Sequence, residues 1–317
     1  MYSCALQRLG WAGDAGNRDK GAVLSENIIA SVEYVSNNGD EMSPTGKFLA
    51  YTIAFDPPNS HGHRQMARML VASLTRTHFD GDCVIFHNSK TPIFRVLRYG
   101  VHEIYVETPD IHGLAGAEFA WSWKYRVRQW IKGGDYSKVI FLDVDSLVLR
   151  NIDHLLEGDW DIGFQPEDGL SIGQPQFACF LTDEERRGLR RNGVNSGTIA
   201  VRGAVFSEVM EEWERIDMEV PPSPRHCSDQ GSWNRLLLDN ERQLGERQKP
   251  RWVAKRFERG EVQFPIYLHT SYLEYRTAAI LHCLGGNTRE KLQFMFGMYM
   301  NTFFYDDATT MLNLLEM

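Results

Sequence analysis

The chain has 317 residues, a formal net charge of −8 and five cysteines. Its length allows one large core or two modest ones, and its acidic balance argues against a general nucleic-acid binder. The cysteines (Cys4, Cys83, Cys179, Cys227 and Cys283) form no Cys-x-x-Cys pair, which fits a reduced protein. No signal-like apolar core and no stretch long enough to span a bilayer is visible, so the expectation is a cytoplasmic enzyme without a transmembrane segment.

Met1–Gly46 is rich in Gly, Asn, Asp and Ser, with strand character only at Ile28–Val35. A strand is predicted at Lys47–Phe55, ended by Asp56-Pro57-Pro58-Asn59. Met66, Met69, Leu70 and Leu74 have helical spacing over His63–Thr77. Strand Cys83–His87, helix Pro92–Tyr99 and strand His102–Val106 follow, an alternation that predicts a parallel sheet. A helix at Ala120–Ile131 leads through Gly133-Gly134 into the run Lys138–Leu149. Next come a short helix at Asn151–Leu156, a strand at Asp161–Gln165, and a less regular stretch Gln174–Asn192 holding a charged helix, Asp183–Arg191. Val194–Val201 reads as a strand, Ser207–Arg215 as a helix, Pro221–Pro224 as a loop and Asp229–Leu238 as a helix. Val262–His269 and Ala278–His282 are short apolar segments, and the tail Thr288–Met317 is helical and dense in Met, Phe and Tyr. The boundaries suggest an extension (1–46), a catalytic domain (47–287) and a helical tail (288–317). The tail's apolar face would cover the core or a second subunit, the latter giving a homodimer.

Asp143-Val144-Asp145 closes the apolar run Val139-Ile140-Phe141-Leu142. In an extended backbone residues i and i+2 share a face, so the two carboxylates would lie side by side. Two adjacent buried acids are costly unless a cation joins them. Oxygen ligands suit Mg2+ or Mn2+, which can also hold a diphosphate. Ligand sites in open α/β sheets form at the carboxyl ends of such strands.

Three later signals add to this one. Asn195-Ser196-Gly197 opens the strand ending at Val201, with groups able to bond sugar hydroxyls. Asp229-Gln230 lies at a helix start, where an acid serves as a cap or as a sugar contact. His282 follows an apolar segment and would complete an Asp, Asp, His set. Gly285 and Gly286 would let backbone N–H groups approach phosphates at a helix start, with Arg289 or Lys291 adding charge.

In this order the motifs resemble the family-8 glycosyltransferases, a group that includes glycogenin, over about Lys47–Lys291; the strongest match is Tyr136–Ile152. The resemblance implies a GT-A fold: an α/β, Rossmann-like, mixed and mostly parallel sheet flanked by helices, with a C-terminal helical appendage. It also implies a Mn2+- or Mg2+-dependent enzyme that uses a UDP- or GDP-linked sugar and retains anomeric configuration. Asp143, Asp145 and His282 would bind metal, and Lys124 matches a donor-contacting lysine. Ala54, Phe55 and Asp56 would hold the nucleoside, with Val144 beside it. Asn195, Ser196, Asp229 and Gln230 would line the sugar pocket. Two departures stand out. Thr288 occupies a position where the family often has Lys, and Asp56–His63 carries a Pro-Pro and a His-Gly-His.

Hexose transfer to an unidentified acceptor is the leading expectation, with Asp229, Gln230 and Lys124 as catalytic candidates. Asp229 would act as nucleophile, base or hydroxyl ligand. The alternatives are a pyranose/furanose mutase, simple hydrolysis and a non-catalytic nucleotide-sugar binding protein. A shared fold does not choose among them.

Overall fold

A computed structural model describes residues 32–35, 46–57, 60–94, 100–108, 113–219, 228–247, 250–258, 260–264, 275 and 277–304. Its centre is an eight-stranded sheet. The strands are β1 (Val32–Val35), β2 (Phe48–Ala54), β3 (Gly81–His87), β4 (Val101–Val106), β5 (Lys138–Leu142), β7 (Ile162–Ser171), β8 (Asn192–Arg202) and β9 (Ala254–Arg256). They are ordered β1-β4-β3-β2-β5-β8-β7-β9. The block β4-β3-β2-β5 is parallel, as the alternation predicted. β8 then runs antiparallel to β5 and β7, and the edge strands β1 and β9 pair antiparallel and parallel, respectively. A small second sheet joins β10 (Val262–Gln263), β11 (Ile280–His282) and β6 (Ser146–Val148).

The central strands are buried on both faces, so their sequences are continuously apolar rather than alternating. On one face α1 (Gly62–Arg76) lays Leu70, Val71 and Leu74 against Ala50, Ile85 and Ile140. On the other, α2 (Gly113–Arg126), α6 (Phe206–Glu219) and α7 (Ser228–Arg247) enclose Tyr51, Phe141, Trp213 and Trp233. Of three short helices, α3 (Asp153–Leu156) follows β6, while α4 (Pro175–Ala178) and α5 (Asp183–Gly188) lie between β7 and β8 in the chain, with α4 packed on α7. The tail helix α8 (Thr288–Phe303) packs on α1, burying Phe294, Met295 and Met298 with Met66 and Leu281.

Several expectations need revision. The run Lys138–Leu149 is two strands in different sheets, β5 and β6, separated by a turn at Asp143–Asp145. The acids therefore do not share a face through strand alternation. The helix expected at Ala120–Ile131 starts at Gly113 and passes at Val127 into a 3-10 turn. The charged helix ends at Gly188, after which Leu189 is extended. Asn195-Ser196-Gly197 lies inside β8 rather than opening it. There the pairing with β7 jumps from Phe164–Ile199 to Pro166–Val194, so the triplet forms a bulge. Such bulges re-aim side chains next to functional sites. Most of the helix expected at Pro92–Tyr99, the strand end 265–269 and the tail beyond Phe304 lie outside the described residues.

Candidate active site and metal centre

The turn after β5 is held at both ends. Asp143 N–H donates to Gly197 O at 2.8 Å, and Ser146 N–H donates to Asp143 O at 2.9 Å. β11 pairs with β6 so that His282 lies opposite Ser146, and Cys283 N–H donates to Asp145 O at 3.0 Å. His282 Nε2 thus lies 3.2 Å from Asp143 Oδ2 and 3.2 Å from Asp145 Oδ1. One ligand atom from each residue falls within 4.8 Å of the others. Among the described residues this is the one such group of His, Cys, Asp and Glu. Two carboxylate oxygens and one imidazole nitrogen, with further positions open, fit a divalent cation such as Mn2+ or Mg2+. The three residues singled out from the sequence do converge, brought together by a turn and a second sheet.

Protein cations balance the acids. Burial alone would raise both carboxyls. Lys124 and His282 beside Asp143, and His282 and Lys291 beside Asp145, hold both below the usual carboxylate range. Burial disfavours a charged His282, yet the two carboxylates outweigh it and push the imidazole up to about 9. Lys291, on the first turn of α8, contacts Asp145 directly. It lines the same cavity as the acid pair.

Lys124 links Asp143 to Asp229. Tyr51 O–H donates to its carbonyl at 2.7 Å, fixing the end of α2. Its Nζ lies 3.1 Å from Asp143 Oδ1, 2.8 Å from Asp229 Oδ2 and 4.8 Å from the Phe141 ring centre. Ser196 Oγ donates to the same Asp229 oxygen at 2.6 Å. Asp229 and Gln230 stand in the first turn of α7, as predicted. Gly197 has a steric reason to be glycine. A Cβ there would sit 2.1 Å from His282 Cε1 and 2.6 Å from Asp143 Oδ2.

A cavity of about 980 Å³ runs from the acid pair to Asp56. Of the expected site residues, Phe55, Asp56, Lys124, Asp143, Val144, Asp145, Gln230, His282 and Lys291 line it, while Ala54, Asn195, Ser196, Asp229 and Gly285 do not. Ala54 is wholly buried. Asp56 is committed to the protein: its carboxylate accepts from His63 N–H at 2.8 Å and Arg64 Nε at 3.1 Å, capping α1. Asn88 pairs with both its backbone N–H and its carbonyl at 2.9 Å. Gly285 and Gly286 both have φ +68, a conformation that favours glycine. They lead into Asn287, whose side chain takes the N–H groups of Arg289 and Glu290 in a capping box. Those amides serve the helix cap rather than standing open to an anion.

Sequence reasoning missed Glu167 and Asn88. Glu167 is 5% exposed, and its Oε2 accepts from Asn195 Nδ2 at 3.2 Å. Neither residue belongs to a motif; only the strand register brings Glu167 to the bulge.

No protein-family model matches the sequence, and no curated protein matches it. Solved structures do. The apo structure of the bifunctional glycosyltransferase WbbM superposes with a TM-score of 0.54 at 12% identity, over 86% of this chain and 52% of that one. The present chain therefore spans about half the length of that protein. Mouse xyloside xylosyltransferase 1, in its apo form, matches with a TM-score of 0.47 at 13% identity, over 77% of this chain and 98% of the other. The fold is of the GT-A type, with a mostly parallel sheet flanked by helices.

Proposed function

We propose that this protein is a divalent-metal-dependent glycosyltransferase that moves a hexose from a UDP- or GDP-linked sugar to an acceptor with retention of configuration. The observation that carries this reading is the Asp143–Asp145–His282 set, with its 3.2 Å spacings, opening into a cavity flanked by Lys124 and Lys291. These three side chains would hold Mn2+ or Mg2+. The ion would offset charge growing on the diphosphate leaving group.

The chain's own residues supply the rest. Lys291 stands where an ammonium can meet a phosphate oxygen once a cation takes over Asp145. Lys124 keeps Asp229 and Asp143 at fixed separation and adds positive charge under the leaving group. Asp229 Oδ2 is committed to Lys124 and Ser196, which blunts its nucleophilicity. We therefore assign Asp229 the stabilisation of positive charge at the anomeric carbon from behind the cavity wall, with its neighbour Gln230 lining the cavity. Retention then follows from attack on the face the diphosphate leaves.

The test is calorimetric titration with UDP, GDP and their sugars, with and without Mn2+, followed by product analysis without acceptor. Mn2+-dependent nucleotide binding that Asp145→Ala abolishes is the expected result. Unchanged affinity in that variant would remove the metal-site assignment. An isomeric nucleotide sugar among the products would replace transfer by a mutase reaction.

A further inference from the structure

His282 presents two different edges. Its Nε2 faces the acid pair at 3.2 Å on both sides. Its Nδ1 is buried and takes no hydrogen bond. A buried polar nitrogen without a partner is costly, and a metal-binding histidine ordinarily donates its outer N–H to a carboxylate, a carbonyl or a water.

The Nδ1 edge faces the β8 bulge: a Cβ on Gly197 would meet Nδ1 at 2.4 Å. Gly197 N–H donates to Asn195 Oδ1 at 2.8 Å, and Asn195 Nδ2 donates to Glu167 Oε2 at 3.2 Å. The Gly197 backbone and then the Asn195 side-chain amide therefore lead from the Nδ1 edge to a buried carboxyl group. The two groups also sense each other electrically. Burial holds the Glu167 carboxyl above its usual value, outweighing the Asn195 hydrogen bond and the positive charge of His282, which pull it down.

We infer that Glu167 is the positioning residue of His282: through one bridging water it accepts the Nδ1 proton and so fixes Nε2 as the nitrogen that faces the metal. A water with two polar partners in a buried polar site is an ordinary structural element. Asn195 then has a structural task. Both ends of its amide are used inside the bulge, and it aims Glu167 instead of binding sugar.

This inference rests on the metal-site reading above, and the experiment separates the two. Mn2+ affinity is measured by electron paramagnetic resonance on the full chain, for wild type, Glu167→Gln and Asp145→Asn. The Mg2+-loaded protein, labelled with 15N-histidine, reports the His282 Nδ1–H resonance. Glu167→Gln keeps the Asn195 contact but not the charge. It is expected to bind Mn2+ about 10–100-fold more weakly, with an unchanged melting temperature and with the Nδ1–H resonance shifted or exchanged with solvent. A merely structural role would move the melting temperature and leave that resonance in place. If Glu167→Gln does not fold, Glu167→Asp shortens the reach by one methylene and should show the same loss. Mn2+ affinity within twofold of wild type in the Glu167 variant, together with loss in Asp145→Asn, overturns the inference and leaves the metal site standing. Unchanged affinity in both variants overturns both.

Discussion

Lys124 Nζ lies 2.8 Å from Asp229 Oδ2, and both side chains are buried. The same ammonium lies 3.1 Å from Asp143 Oδ1, so one cation braces an acid of the cavity wall and a buried acid behind it. Removing it leaves two carboxylates without their shared partner, which costs about 3–5 kcal/mol for a buried pair. Lys124→Met should therefore lower unfolding stability by that order in urea titrations. Adding Asp229→Asn should recover part of the loss, because one orphaned charge disappears with it. A double mutant as unstable as the sum of the singles would mean that the pair is not coupled.

Gly197 admits no side chain without displacing His282 or Asp143. Gly197→Ala should keep the fold, because the bulge lies between intact stretches of β8, yet weaken Mn2+ binding by about tenfold or more, or about 1.4 kcal/mol. Circular dichroism would check the fold and calorimetry the binding. Wild-type affinity in this variant would show that the His282 ring can retreat without consequence.

The acid pair is legible from sequence because Val139–Leu142 forms a strand buried on both faces and the acids follow at once. The route by which His282 reaches them is not, because it depends on β6 leaving the main sheet to pair with β11. Asp229-Gln230 is readable as a helix start, since a short acid just before an apolar-periodic run is a preferred N-terminal residue. Glu167 is hidden. Its part in the site comes from a register jump between β7 and β8, and pairing register is a tertiary property. Asp56, which the resemblance places at the nucleoside, lines the cavity while its carboxylate caps α1, a tertiary contact that the sequence does not mark. The central parallel block follows from its alternating pattern, but the antiparallel β8 carries no local mark of its direction.

Lys291 contacts Asp145 and lines the cavity. On the proposed reading it competes with an incoming cation for that carboxylate, and afterwards meets phosphate. Lys291→Met should therefore bind Mn2+ alone at least as tightly as wild type. It should bind a nucleoside diphosphate with Mn2+ about tenfold more weakly, a change of about 1.4 kcal/mol. Titrations with Mn2+ first and UDP or GDP second measure the two steps separately. Equal loss in both would place Lys291 in the fold rather than in phosphate recognition.

Glu103 ties the wall of the cavity to the sheet. It accepts from Ile93 N–H at 2.7 Å and Phe94 N–H at 2.8 Å, and lies 3.4 Å from His87 Nε2. Ser89 and Lys90, on the same loop, line the cavity. Burial would raise the Glu103 carboxyl, but His87 and the two backbone donors prevail and hold it below its ordinary value of 4.5. A depressed folded pKa means that the unfolded chain takes up the proton first. The contribution of Glu103 is therefore complete above the ordinary value and lost as pH falls through the folded one. Glu103→Gln should cost about 1–3 kcal/mol at neutral pH, since buried amides lose a charged acceptor. The cost should shrink on acidification below about pH 4.5, where wild type loses the same contribution. Denaturant titrations of both proteins across that range would show the two curves converging. A gap that stays constant with pH would assign the loss to packing instead of to charge.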